Sequence, residues 1–168
     1  MLGPEYRPGR GWQTRIDHKR SDFLQSPDGL FCVAALQFDR GNAALELSRR
    51  NSSRAFDLLQ AATPYELGDG GMFINNVYPA YLRGQAYLLA RNGPAAAAEF
   101  QQMLDHKGIV LNSVTGSLAH PQIGRAHAMA GDTARAKAAY QDFFNVWKDA
   151  DPNIPILKEA KAEYAKLK

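Results

Sequence analysis

From Leu30 onward, apolar residues recur at helical spacing and are interrupted by Gly, Asn, Asp and Pro, while β-branched runs are too few to build a sheet. Phe31, Ala34, Ala35 and Phe38 predict a first helical zone over 30–51, weakened at Arg40-Gly41 and resumed over 43–50. The polar break Asn51-Ser52-Ser53 offers three candidate caps, because a short side-chain oxygen can take up a free N–H of a first turn. The helix it would open, over 54–62, carries Ala55, Leu58, Leu59 and Ala62 on one face and stops near Pro64. Three glycines in Gly68-Asp69-Gly70-Gly71 cannot hold a helix, so this stretch reads as a linker.

A Tyr- and Leu-rich helix is expected over 77–91, ended by Asn92-Gly93, and Pro94 suits the first turn of the next, over 94–106. Residues 108–116 read as a loop whose Ile109, Val110 and Leu111 tuck under the helices beside it. Helices over 118–130 and 133–148 follow, split by Gly131-Asp132 with Asp132 as N-cap. The last, over 155–167, is apolar at Leu157, Ala160, Tyr164 and Leu167 and otherwise rich in Lys and Glu, as a capping helix with a polar outer face should be.

Two of these helix pairs superimpose at an offset of 40: Gly84, Ala86, Tyr87, Ala96 and Phe100 correspond to Gly124, Ala126, His127, Ala136 and Tyr140. A small residue midway along the first helix lets the second approach, a small residue on the second matches it, and the aromatic one turn on fills the gap. A weaker copy occupies 43–62, with Ala43 in the Gly position and Ala55 and Leu59 in the Ala and aromatic positions.

The spacing resembles the tetratricopeptide repeat, whose pattern runs W-x2-L-G-x2-Y, then Ala, then x3-Phe, then Pro. Ala80 and His120 stand where that repeat has Trp, and Arg83 and Ile123 where it has Leu. More narrowly, Tyr81 to Tyr87, Asp105 to Asn112, Tyr140 to Phe144 and Trp147 to Pro152 look like the C-terminal repeat region of large bacterial serine/threonine kinases and winged-helix regulators. The resemblance spans roughly residues 43–168 and includes no kinase signature or winged-helix segment. It implies an all-α fold in which antiparallel helix pairs stack as a short right-handed solenoid over 30–168, closed by the C-terminal helix. It also implies that the first helix of each pair lines a concave groove, here through Tyr78, Tyr81, Gln85 and Leu88, then Leu118, Pro121, Arg125 and Met129. Tyr81, Gln85 and Leu88 share one helix face, and tyrosines beside an arginine suit peptide recognition; packing of those tyrosines on the neighbouring repeat is the competing reading. The Lys/Asn set that clamps a C-terminal carboxylate in some tetratricopeptide proteins is replaced by Leu82 and Gln85.

Composition narrows the function classes. The formal charge of +3 on 168 residues sits in the first twenty, where Arg7, Arg10, Arg15, Lys19 and Arg20 face only Glu5 and Asp17. Residues 1–29, mixed with Pro and Gly, therefore read as an irregular basic tail, and the balanced remainder gives no footprint for specific nucleic acid. No apolar run is long enough to cross a bilayer and the N-terminus lacks a signal-peptide core, which points to no membrane partner and a cytoplasmic location. Cys32 is the only cysteine, so neither a disulfide nor a Cys-based metal cluster can form within the chain. His120 and His127 lie seven apart without a third ligand at metal spacing, and Asp105-His106 has no nucleophile in a recognisable setting.

These features predict a non-catalytic scaffold, without cofactor or metal, that binds a protein or peptide partner. The alternative is a sensor or regulatory segment of a signalling kinase or transcription regulator separated from its effector domain. At the N-terminal end, Phe31, Val33, Leu36 and Phe38 are too apolar for an outer face. They are expected either to fold back on the first pair or to be buried against a second copy of the chain, which would make a homo-oligomer.

Overall fold

The computed structural model describes residues 39–60, 63, 77–106, 110 and 114–168, all within one compact unit, Asp39–Lys168. Expectations for the basic tail, for the apolar 30–38 segment and for the glycine linker lie outside the described residues. Among those described the secondary structure is helical throughout, with no strand. The helices are α1 (39–48), α2 (Ser52–Gln60), α3 (Tyr78–Leu89), α4 (Gly93–Asp105), α5 (Val114–Met129), α6 (Thr133–Val146) and α7 (Pro155–Ala165). Each of α3 to α7 packs on the helix before it, and α3 also touches α5.

Three turns join α1 to α2, α3 to α4 and α5 to α6, and all three are built alike. Arg50 (φ 62°), Arg91 (φ 61°) and Gly131 (φ 80°) each take the left-handed conformation that ends the first helix. The next residue reaches back five: Asn51 N–H donates to Glu46, Asn92 to Tyr87 and Asp132 to His127. Its side chain then caps the second helix, with Asn51, Asn92 and Asp132 Oδ1 accepting from the N–H of Arg54, Ala95 and Arg135 at 3.2, 3.2 and 3.0 Å. One residue thus closes one helix and opens the next. Of the three caps offered at Asn51-Ser52-Ser53, Asn51 is the one used.

The small-and-large pairing expected from the repeat is the packing observed. A Cβ placed on Gly84 would stand 2.5 Å from Phe100 Cζ, and one on Gly124 would stand 2.7 Å from Tyr140 Cε2. Each ring therefore lies directly on the glycine of its partner helix. Ala96 and Ala136, one turn before those rings, are completely buried. In the first hairpin Ala43, Ala55 and Leu59 are also fully buried, so a larger residue at the glycine position is matched by a smaller one at the ring position.

Two sequence boundaries need correction. Residues 39–48 run as helix straight through Arg40-Gly41, where exposed Gly41 has open space around it and costs only propensity. Helix α5 begins at Val114, before the end of the expected 108–116 loop, and so carries Pro121 in its interior. The reason is Gly116, which is a packing glycine: Val110, 7% exposed, lies where its Cβ would be. Val110 does tuck beneath the helices, as expected of that segment, in one core cluster with Tyr81, Phe100, Ala119 and Ile123.

Candidate partner-binding face

The residues expected to line a groove divide sharply in the structure. Tyr81 is 8% exposed and belongs to the core, its ring meeting Phe100 edge-on at 5.7 Å between centroids. Tyr78 is half-buried and stacks on Tyr81 at 6.4 Å, while Leu88 and Leu118 are half-buried against the same core cluster. Pro121 is buried, Gln85 is half-buried, and Met129 is the one exposed member of the set. The α3 tyrosine rings thus meet each other and Phe100 of their own hairpin, and Tyr81 also shares a core cluster with Ala119 and Ile123 of the next.

Arg125 is the residue on which polar contacts converge. Its Nε donates to both carboxylate oxygens of Glu163, at 3.0 and 2.9 Å, and its Nη1 donates to Gln122 Oε1 at 3.3 Å. Its Nη2 is buried and lies 3.0 Å from Glu159 Oε1 as an ion pair. Tyr140 O–H donates to Glu163 Oε2 at 2.8 Å, and buried Gln122 donates to the Tyr81 hydroxyl at 3.3 Å. The network joins α3, α5, α6 and α7 through side chains alone.

Electrostatics follow from this geometry. Burial by itself would lower the Arg125 pKa, but the hydrogen bonds and charge of Glu163, with the charge of Glu159, outweigh it and raise the pKa above its ordinary value. Burial pushes the Tyr140 phenol well up, and its bond to Glu163 and that carboxylate's charge push it further. The guanidinium is therefore a permanent cation, and the phenol a permanent donor to its neighbour.

A two-pronged fork lies between α3 and α4, where Arg83 Nε and Nη2 donate to the two oxygens of Glu99 at 3.0 and 2.8 Å. His106 sits at the end of α4 with Nδ1 2.7 Å from the Gln102 carbonyl, a local cap contact. Among the described residues no group of three or more His, Cys, Asp or Glu is placed to hold a metal ion, and no helix is long and apolar enough to cross a membrane.

Glu159 and Glu163 were not singled out from sequence, although carboxylates four apart on a helix share a face. What hid them was the Lys/Glu mixture of the last helix, which reads as a uniformly solvated surface. Comparison of the chain with protein-family models, with curated proteins and with solved structures gives no match.

Proposed function

We propose that this chain is a tetratricopeptide-type helical-repeat module, non-catalytic, that binds a protein or peptide partner. The observation that carries the proposal is the hairpin repeated three times with one turn geometry, one cap and one small-against-large contact, at intervals of 41 and 40 residues counted on Asn51, Asn92 and Asp132. Units of this kind expose their first helices side by side, and the contact between α3 and α5 supports that arrangement. The period is longer than the 34 residues of a standard tetratricopeptide, the excess lying outside the hairpins. The accessible part of the first-helix face is Met129, with the half-buried Tyr78, Gln85, Leu88 and Leu118.

Peptide display against the purified 168-residue chain tests this. Selected peptides should bind the parent and lose binding to a Gln85→Arg/Met129→Glu variant of unchanged helicity. Peptides that bind both equally, or a chain that selects none, would overturn the proposal.

A further inference from the structure

The seat of α7 differs in kind from that of α5. In α5, Ala119 and Ile123 are buried in the same core cluster as Phe100 of the preceding hairpin. Advancing those two positions by 40 residues reaches Glu159 and Glu163. Where α5 presents apolar side chains to the hairpin before it, α7 presents two carboxylates one turn apart, and both converge on Arg125. Only Leu157 and Ala160 of α7 are buried, the rest of its apolar contact being the half-buried Tyr164 with Ile156 beside them. The pair is also open to water, since Glu159, 3.0 Å from Arg125 Nη2, is 58% exposed.

We infer that the α5–α6 face under α7 is an exchangeable docking site for an acidic amphipathic helix of a partner protein, with α7 as its resident occupant. This rests on the reading of the chain as a binding module and names the partner's chemistry. The occupant must bring two carboxylates four residues apart, with small or aliphatic side chains beside them to meet Tyr140 and Phe143. Arg125 supplies the selectivity, because its planar guanidinium donates Nε to one carboxylate and turns Nη2 to the other, a fixed spread of donors that a point charge lacks. Partly exposed ion pairs hold a helix weakly enough to exchange.

The test uses the whole 168-residue chain and a labelled peptide copying residues 153–168. A Glu159→Gln/Glu163→Gln chain, whose own α7 is loosened, should bind that peptide about tenfold more tightly than the parent does. Binding should vanish when the peptide carries the same two Gln substitutions, and when Arg125→Gln is added to the loosened chain. Should Arg125→Gln lose its helical circular dichroism, Arg125→Lys keeps the charge without the fork, and binding should weaken about tenfold. Equal affinity of parent and loosened chain, or binding indifferent to the peptide's carboxylates or to Arg125, overturns the assignment. Either outcome leaves the broader binding reading intact, because that reading is tested separately on the Gln85 and Met129 face.

Discussion

Adding one methyl group at Gly84 should destabilise the protein, although glycine to alanine inside a helix ordinarily stabilises. The Cβ of Gly84→Ala would lie 2.5, 2.6 and 2.9 Å from three atoms of the Phe100 ring, so the ring must retreat by about 1 Å to reach ordinary contact. It has nowhere easy to go, being fully buried and met edge-on by Tyr81. Overpacking of this kind costs about 1 to 3 kcal/mol, against a helix-propensity gain of about 1 kcal/mol. The net loss, up to about 2 kcal/mol, should lower the melting temperature by up to roughly 8 °C for a unit of this size. Gly41→Ala is the control, because the same chemical change meets nothing within 4 Å and should raise the melting temperature. The first hairpin also names the rescue. There Ala43 is paired with Leu59, so Gly84→Ala with Phe100→Leu should lose less than the two single changes added, by about 1 kcal/mol of coupling. Calorimetry of the four proteins decides it. A Gly84→Ala protein that melts at or above the parent, or strict additivity in the cycle, would refute the ring-on-glycine account.

The turns and His127 give two further predictions. Gly131→Ala has open space around it but φ of 80°, so its cost of about 1 kcal/mol should be purely conformational, whereas Arg91→Gly, at φ 61°, should be neutral to slightly stabilising; urea midpoints of the two variants check the opposite signs. Burial lowers the His127 pKa below its ordinary 6.5, with Asp132 opposing and Arg135 adding to the shift. Between the two values the unfolded chain binds more protons, so this contribution is complete above pH 6.5 and is lost as pH falls through the folded value. His127→Tyr, which installs the residue found at Tyr87, should flatten that part of the melting-temperature profile, and a profile with an unaltered slope would remove His127 as its source.

How much of this was legible in the sequence depends on the kind of contact. The Gly84–Phe100 and Gly124–Tyr140 pairs were readable because each demands a particular residue size at a fixed spacing, and Asp132 because a cap needs a short oxygen. Arg50 and Arg91 were not, since a left-handed arginine is held by the hydrogen bonds of the turn and carries no compositional mark. Gly116 misled for a related reason: a glycine that admits Val110 looks in sequence like one that ends a helix. Tyr81 and Arg125 were correctly placed on first helices, yet their exposure depended on what neighbouring helices deliver to them. Gln122 arrives from 41 residues away and Glu163 from 38, distances over which local pattern carries no information.

The single residue that closes one helix and opens the next bears on the order in which this protein acquires structure during synthesis. Each hairpin turn is stitched by bonds spanning at most five residues, so it can close as soon as its own stretch of chain is available, without waiting for distant partners. Its apolar side, however, stays wet until the following hairpin arrives to cover it. Growth from the N-terminal side thus proceeds as a series of locally complete steps, each leaving a temporary sticky edge. Of the described helices α7 is made last, and until it emerges the Arg125 guanidinium waits in water, a charge that discourages the unfinished chain from clinging to another of its kind.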